Sequence, residues 1–258
     1  MSPILYNVFI DDLSRELCDT NVGCFINGTC VNNLMYADDS VVLAPSPFAL
    51  QRLLCICEQY AQNNEITYNV KKTVCMNVMS KLCKNIKVPS VQLYGSALKW
   101  VESHKYLGVI LQNNMCDGAD MRRQCRAIYA KGNLLLRKFR KCSDSVKTKL
   151  FNAYCTNLYC CHLWSNYSSR MYRDVKVAYN NTFRHLFKLP RREHVSVHYV
   201  NLNVKSFDEI VRKLIYNFKA RVEGSQNYIL KAIVSSVFFT YTSKIHLKWR
   251  SSIHVNIT

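Results

Sequence analysis

The sequence is short of acidic residues and of long hydrophobic runs. Its 258 residues include 17 aspartates and glutamates against 35 lysines and arginines, a formal net charge of +18. The longest apolar stretch, Tyr228 to Tyr241, contains Lys231 and several serines and threonines, so it is too short and too polar to span a bilayer. No N-terminal basic segment followed by an apolar run is visible, so secretion is not supported. We expect an intracellular protein, nuclear or cytoplasmic, with no membrane partner.

Paired cysteine spacing is also absent. Thirteen cysteines are scattered along the chain and none forms a Cys-x-x-Cys pair, which argues against a disulfide framework. The group Cys155, Cys160, Cys161 and His162 lacks the paired spacing of zinc ligands and lies in a helical pattern. Buried thiols are the favoured interpretation of these cysteines.

The basic residues are unevenly distributed along the chain. Residues 1–120 hold 9 basic and 11 acidic side chains, a net charge of −2, whereas residues 121–258 hold 26 and 6, a net charge of +20. A basic region of this size suggests a polyanionic partner, because each lysine or arginine that neutralises a phosphate releases a condensed counterion. With 49% hydrophobic and 20% charged residues, the chain is expected to be globular and not disordered.

Two adjacent aspartates stand out in the near-neutral half. Asp38 and Asp39 separate the β-forming runs 34–37 and 40–43, a pattern that predicts a tight hairpin with both carboxylates at its exposed tip. Adjacent carboxylates repel each other, and a divalent ion such as Mg²⁺ or Mn²⁺ would neutralise them through hard oxygen ligands. The alternative is a solvated turn, in which aspartate is common.

Regular patterns surround this hairpin. Ser2-Pro3 predicts a helix start, with Ile4, Leu5, Val8, Phe9 and Leu13 on its buried face. Asn27-Gly28 predicts a hairpin that runs directly into the acidic one. Pro45-Ser46-Pro47 predicts the start of a helix that ends at Asn63-Asn64. Strand, helix and strand on one antiparallel sheet form a split β-α-β arrangement, so the predicted fold class is α+β.

The character of the chain changes from strand to helix after Asn113-Asn114. One long predicted helix has Met121, Ile128, Leu134 and Leu135 as its inner stripe. Basic side chains outside this stripe suit contact with a phosphate backbone, which fixes position without reading sequence. A merely soluble basic helix is the alternative. The candidate contacts are Arg122, Arg123, Arg126, Lys131, Arg137 and Lys138, with Arg140 and Lys141 in the same segment.

Further helices follow this one. Ser143, Ser168 and Ser206 are predicted helix starts, the last with a capping box before an apolar run. A final helix is expected from about Gln226. Residues 242–258 show no clear pattern and are expected to be loosely ordered.

Four motifs resemble those of one family and occur in the family's order. Tyr36-Ala37-Asp38-Asp39 resembles the polymerase-site motif of reverse transcriptases, and its surroundings look like those of non-LTR (LINE-type) retrotransposons. Residues 2–13 are similar to the helix after the template-binding Gln-Gly motif, residues 69–76 to the Asn-x-x-Lys-Thr segment, and residues 105–109 to the primer-grip turn. The resemblance is firm over about residues 1–110 and continues more weakly to about residue 192.

The resemblance implies an RNA-directed DNA polymerase that transfers nucleotides by two-metal catalysis. Asp38 and Asp39 would be catalytic metal ligands for Mg²⁺ or Mn²⁺. Lys72 would meet the triphosphate of the incoming dNTP or protonate the leaving pyrophosphate. Without the resemblance, a solvated turn lysine is the favoured interpretation of Lys72.

The same resemblance implies contacts with an RNA template and a DNA primer. Tyr106, Leu107 and Gly108 would form the primer grip, where Gly108 lets the primer backbone approach closely. The two larger residues would offer apolar contact to a sugar. A strand bulge at Gly108 is the alternative.

The resemblance also implies a domain order. Residues 1–113 would be a partial polymerase palm with the primer grip, residues 114–192 a helical basic thumb, and residues 193–258 a helical extension. The family carries a further metal-binding aspartate and template-holding fingers before the Gln-Gly motif. We therefore expect a C-terminal palm and thumb fragment that is inactive alone, since two carboxylates anchor a metal poorly. The alternatives are a non-catalytic basic nucleic-acid-binding remnant and a reading frame that does not fold stably.

Overall fold

A computed structural model describes residues 3–78 and 88–253. Over these ranges the chain is α+β, as the sequence pattern predicts. The first elements are α1 (Pro3–Asp19), β1 (Cys24–Ile26), β2 (Thr29–Val31), β3 (Asn33–Tyr36), β4 (Asp39–Val42), α2 (Pro47–Asn63), β5 (Val74–Cys75), β6 (Gln92–Leu93), β7 (Ser96–Ala97), β8 (Lys99–Trp100), β9 (Ser103–Tyr106) and β10 (Val109–Gln112). The rest is helical: α3 (Gly118–Phe139), α4 (Asp144–Tyr154), a short 3-10 helix (Cys161–Leu163), α5 (Ser169–Phe187), α6 (Val195–Asn201), α7 (Phe207–Glu223), α8 (Tyr228–Ser235), α9 (Val237–Thr242) and α10 (Lys244–Ile253).

The chain forms two compact units that are not simple halves. The first unit contains Met1–Glu102 and Ser225–Phe239, and the second contains Ser103–Gly224 and Thr240–Thr258. This division falls before the predicted boundary at residue 113, because the β9–β10 hairpin packs on α3 and so belongs with the helices. The segment 225–239 leaves the predicted C-terminal extension and joins the first unit, where α8 contacts β2.

The strands of the described residues pair only in twos. Four antiparallel pairs, β1–β2, β3–β4, β6–β7 and β9–β10, accompany one parallel pair, β5–β8. The predicted single sheet with a strand-helix-strand order is therefore wrong for this part of the chain. For the first two hairpins the physical reason is Asn32, between β2 and β3: its buried side-chain amide donates to the Leu17 and Val22 carbonyls. The link between the first two hairpins is thus tied to the end of α1.

The core of the first unit lies where α1 meets α2. Ile10, Leu13 and Leu17 of α1 pack with Leu53, Cys57 and Tyr60 of α2. Tyr60 also donates its hydroxyl to the Phe9 carbonyl at 2.9 Å. The predicted buried face of α1 is correct at Leu13 and wrong at Ile4, Leu5, Val8 and Phe9, which are exposed. Among the described residues α2 packs on the later turns of α1, so the earlier turns stay uncovered.

The helix α2 begins and ends as its sequence pattern predicts. Ser46 is the N-cap and its hydroxyl accepts the Ala49 N–H at 3.2 Å, with Pro47 in the first turn. The helix ends at Asn63, and the Asn64 N–H donates to the Tyr60 carbonyl. These local hydrogen bonds satisfy backbone groups that a helix end leaves open.

The core of the second unit is the close crossing of α3 and α5. Met121, Ile128 and Leu135 of α3 are buried, as predicted, whereas Leu134 is 40% exposed and does not belong to the inner stripe. Leu134 lies outside the buried stripe, whose positions from Met121 onward (121, 124, 128, 132 and 135) recur every three or four residues. Gly132 allows the close approach, since a Cβ there would lie 2.3 Å from Thr182 Cγ2.

The predicted loose tail contains a helix. Residues 244–253 form α10. Trp249 is 2% exposed, and its ring centroid lies 6.0 Å from that of Phe218. Lys248 donates to the Trp164 carbonyl at 2.7 Å. The prediction is wrong here because one tryptophan and one lysine dock this helix without a stripe of aliphatic residues. Residues 254–258 lie outside the described residues, and so does the predicted N-cap Ser2.

Candidate functional site

The two aspartates lie at the turn of the β3–β4 hairpin. The ladder pairs Tyr36 with Asp39, so the two turn residues are Ala37 and Asp38, and Asp39 is the first residue of β4. The sequence prediction placed the tip one residue later, at Asp38 and Asp39. Asn33 sets the observed register from the other end of the ladder, because it is buried and its side chain accepts the Ser14 hydroxyl at 2.8 Å.

The turn is held against α1. Ala37 has a φ of 50°, a left-handed conformation that side chains rarely adopt. Its N–H donates to Asn7 Oδ1 of α1 at 3.0 Å, which supports the strained residue from outside the hairpin. The sequence of α1 thus fixes the position of the acidic turn.

The carboxylates of Asp38 and Asp39 are both exposed. In the described ranges neither carboxylate has a salt-bridge partner. Hard carboxylate oxygens suit Mg²⁺ or Mn²⁺, which prefer six oxygen ligands and retain several waters. However, no group of three potential metal ligands occurs within residues 3–78 and 88–253. The pair therefore fits a divalent ion in chemical type and offers two of the anchoring groups that such a site needs.

Lys72 lies in the same unit, on a hydrogen-bonded turn. The Lys72 N–H donates to the Asn69 carbonyl at 3.0 Å, and the Thr73 hydroxyl donates to the same oxygen at 2.9 Å. Asn69 Oδ1 also accepts the Lys72 N–H. Asn69 and Thr73 thereby close the turn and leave the Lys72 side chain exposed. Within the described part of the chain, Lys72 forms no salt bridge with either aspartate.

The predicted primer-grip residues form the turn of the β9–β10 hairpin in the second unit. Tyr106 pairs with Val109, and Leu107 and Gly108 are the turn residues with φ values of 44° and 82°. The ladder runs one-to-one from Val109 to Gln112. The alternative of a strand bulge at Gly108 is therefore wrong, and the glycine serves a two-residue turn with positive φ at both positions.

Two contacts from the helical part of the second unit hold this hairpin. Asp120, 1% exposed, accepts the Ile110 N–H at 3.1 Å and the Trp164 Nε1–H at 2.9 Å. Tyr159 donates its hydroxyl to the Leu107 carbonyl at 2.9 Å. Sequence reasoning missed all three of these side chains. An aspartate beside Met121 on the inner side of α3 was the one signal for Asp120, and no pattern marked Tyr159.

The basic side chains on α3 divide into two groups. Arg122, Arg126 and Arg137 are exposed and share the side of the helix opposite its buried stripe. Arg123 differs, because its Nε lies 2.6 Å from Asp120 Oδ1 and its side chain is 23% exposed. Lys131 is half-buried, Lys138 is exposed, and Arg140 and Lys141 follow the end of the helix at Phe139.

The exposed arginines of α3 have no acidic neighbour on their own helix. The one acidic residue of α3, Asp120, is buried and engaged, so no carboxylate of this helix opposes the exposed arginines. Such a surface can bind phosphates by charge.

None of the helices in residues 3–78 and 88–253 has an apolar stretch of the length that a bilayer requires.

The described chain is thus an α+β protein with an exposed acidic hairpin and a basic helix. Residues 1–111 match the family model for reverse transcriptase (RNA-dependent DNA polymerase). The matched range includes the acidic hairpin, Lys72 and the Leu107–Gly108 turn, covers somewhat less than half of the chain, and ends before α3. None of the curated proteins matches the chain.

Proposed function

We propose that the chain is the C-terminal palm and thumb portion of a reverse transcriptase from a non-LTR (LINE-type) retrotransposon. The observation that carries this proposal is the exposed Asp38-Asp39 pair at a hairpin turn, inside the segment that matches the reverse transcriptase family. Nucleotidyl transfer needs carboxylates that present oxygens to solvent-borne substrate and metal, and this turn does so.

The proposed chemistry assigns a role to each residue of the first unit's candidate site. Asp38 and Asp39 would hold Mg²⁺ or Mn²⁺, which when bound activates a 3′ hydroxyl and neutralises the triphosphate. Lys72 is presented by the Asn69–Thr73 turn and would neutralise charge on the dNTP phosphates or donate a proton to the departing pyrophosphate. A lysine suits this role because it is a compact cation on a flexible stem.

The second unit supplies the proposed nucleic-acid contacts. Leu107 would offer an apolar side chain to a sugar of the DNA primer, and Gly108 would allow its backbone to approach. The exposed arginines of α3 would bind phosphates of the template–primer duplex without reading its sequence. RNA template and DNA primer are the partners that this arrangement fits.

We further propose that the chain alone does not complete the metal site. Only two carboxylates are presented at the acidic turn, and no group of three ligands occurs in residues 3–78 and 88–253. Mg²⁺ keeps near-octahedral geometry and loses water reluctantly. A third anchoring carboxylate from another polypeptide segment would therefore be needed for polymerisation.

A test combines metal binding with primer extension. Substoichiometric Mn²⁺ should broaden the NMR signals of residues 37–40 in the wild-type chain and not in an Asp38→Asn, Asp39→Asn variant. The matched control is Asp11→Asn, Asp12→Asn, since this second adjacent pair is exposed on α1 and already paired with Arg15. Primer extension on an RNA template should stay at background for all three proteins.

Each contrary result has a defined meaning. If Mn²⁺ broadens residues 11–12 as strongly as residues 37–40, or broadens neither, the polymerase assignment is wrong. Extension that is lost in Asp38→Asn would confirm the polymerase assignment and overturn the proposed incompleteness.

The second candidate function is a non-catalytic nucleic-acid-binding protein. It is favoured by the net charge of +20 over residues 121–258 and by the exposed arginines of α3. Both functions predict binding that weakens steeply with salt. Only the polymerase predicts selective Mn²⁺ binding at the acidic turn, so the NMR experiment separates them.

A further inference from the structure

We propose that Tyr159 is a positioning residue that holds the Leu107–Gly108 turn in the conformation that contacts the 3′ end of a DNA primer. This inference rests on the proposed function, because it concerns how the turn receives a primer. Tyr159 lies after the segment that matches the reverse transcriptase family, which ends at residue 111.

Leu107 occupies an unfavourable backbone conformation. Its φ of 44° is in the left-handed region, where a branched side chain crowds the following carbonyl. Two-residue hairpins usually place asparagine, aspartate or glycine at this position, as the Asn27-Gly28 turn of this chain does. A conformation of this kind persists where surrounding contacts impose it, and such positions concentrate at functional sites.

One side chain contacts both residues of the turn. The Tyr159 hydroxyl donates to the Leu107 carbonyl at 2.9 Å. The ring of Tyr159 lies against Gly108, since a Cβ at that glycine would be 3.0 Å from Tyr159 Cε1. The hydrogen bond fixes the direction of the Leu107 carbonyl, and the ring packs against one side of Gly108.

Tyr159 is itself held in place by its neighbours. It lies between α4 and the 3-10 helix, and both Leu158 and Cys161 are fully buried. The Cys161 N–H donates to the Leu158 carbonyl at 3.3 Å. The loop is thus anchored on both sides of Tyr159, whose own side chain reaches the surface of the unit.

A separate contact fixes the body of the hairpin. An antiparallel pair of strands leaves every second backbone N–H pointing outward. The Ile110 N–H is one of these, because it donates to buried Asp120 outside the hairpin. Loss of the Tyr159 hydroxyl would therefore release the turn without detaching the strands, which makes the role of Tyr159 separable by experiment.

The geometry gives Leu107 a defined task. Its carbonyl is occupied by Tyr159, while its side chain remains exposed. The 3′ end of a DNA primer at the turn would contact this leucine side chain, which offers an apolar surface to a sugar. We infer that Tyr159 sets where that contact forms, and so affects binding of a recessed 3′ end more than binding of duplex phosphates.

The test compares two fluorescein-labelled RNA–DNA hybrids with the same total number of phosphates, one blunt and one with a recessed DNA 3′ end. Fluorescence anisotropy with the full chain should give a lower Kd for the recessed hybrid. In Tyr159→Phe the ratio of the blunt Kd to the recessed Kd should fall roughly two- to tenfold, the range for one lost hydrogen bond. If the wild-type ratio is smaller than that, the preference should vanish. The Kd for the blunt hybrid should be unchanged, a pattern that general destabilisation would not produce.

Tyr154→Phe is the matched control, because this tyrosine of α4 is 50% exposed in the same unit. It should leave both affinities unchanged. Hydrogen exchange of peptides covering 103–112 should be faster in Tyr159→Phe alone. A wild-type preference that survives in Tyr159→Phe overturns the positioning role. No preference in the wild type refutes the primer contact of the proposed function instead, and the positioning role falls with it.

Discussion

Asp120 links parts of the second unit that are far apart in the sequence. Its carboxylate accepts hydrogen bonds from Ile110 of β10, from Trp164 after the 3-10 helix, and from Arg123 one turn later on α3. A buried carboxylate is tolerated where charged and polar donors surround it. The side chain is therefore a structural junction between the β9–β10 hairpin and the helices.

Replacing Asp120 by alanine should destabilise the protein strongly. Arg123 would lose its carboxylate partner, and its Nη2 has no hydrogen-bond partner in the described part of the chain. The Trp164 Nε1–H and the Ile110 N–H would lose their acceptor. Breaking one partner of a buried ion pair costs about 3–5 kcal/mol. Urea unfolding followed by tryptophan fluorescence measures the loss.

Glu223→Ala is the control for Asp120→Ala. Glu223 is 49% exposed and pairs with Lys219 across one helical turn, so its removal should cost less than about 1 kcal/mol. Equal losses in the two variants would show that Asp120 is not a junction.

At this scale the sequence predicts local chemistry and misses distant contacts. Asp38 and Asp39 are recognisable because two acids interrupt β-forming runs within a few residues. The turn is nevertheless shifted by one position, since its register depends on buried Asn33 and its contact with Ser14. Asp120 and Tyr159 act through partners such as Trp164 and Leu107 that no periodic pattern connects with them.

The crossing of α3 and α5 is the most extensive helix contact among the described residues of the second unit. Gly132 and Thr182 face each other at the crossing, and both are buried. A glycine inside a helix normally costs about 0.5–1 kcal/mol relative to alanine. Here the missing side chain is what lets the two helices approach.

Gly132→Ala should therefore destabilise the protein by about 1–3 kcal/mol, the range for overpacking, despite the higher helix propensity of alanine. The added Cβ would lie 2.3 Å from Thr182 Cγ2. Thr182→Ala removes that methyl group together with a hydroxyl that has no hydrogen-bond partner within residues 3–78 and 88–253. The double variant should recover most of the loss, as urea unfolding in a double-mutant cycle would show.

Asn133→Ala is the reference for helix propensity, because Asn133 is the exposed neighbour of Gly132. Its effect should stay within about 0.5 kcal/mol. An absence of coupling between Gly132→Ala and Thr182→Ala would refute the steric explanation.

Elements with strong local signals are predictable from this sequence. Ser46, Ser143, Ser168 and Ser206 all precede helices as predicted. The hydroxyls of Ser46, Ser168 and Ser206 accept a backbone N–H of the first turn, a contact that acts within one turn. Sheet pairing was not predictable, since the alternative partners of β3 and β4 differ only in long-range contacts. The helix α10 was missed for a similar reason, because its packing depends on Trp249 meeting Phe218.

The charge of the whole molecule is concentrated in one part of the sequence. Residues 121–258 carry a net charge of +20, while residues 1–120 carry −2. If phosphates bind to the basic part through α3, binding should release counterions in proportion to the contacts made. The number of contacts is therefore measurable from salt dependence.

Replacing Arg122, Arg126 and Arg137 with glutamine should flatten the salt dependence of duplex binding. The slope of log K against log salt should decrease in magnitude by up to about 2.7, at roughly 0.9 for each phosphate contact. Fluorescence anisotropy with a blunt duplex over a series of salt concentrations gives this slope.

The control for this triple variant removes the same charge elsewhere. Arg52, Lys71 and Lys99 are exposed basic residues of the first unit, and their replacement by glutamine should leave the slope unchanged. Equal changes in both triple variants would assign binding to net charge instead of to α3.

The helix α8 belongs to the first unit although it follows most of the second unit in the sequence, and this affects how the protein can be divided into fragments. Asn27 of the first hairpin donates to Ser235 of α8 at 3.1 Å, and Ala232 of α8 is buried. A recombinant piece that stops at Glu102 would lack this helix and uncover the strand it shields. No single cleavage point separates the two units, so fragment complementation has to supply residues 225–239 as a peptide in trans.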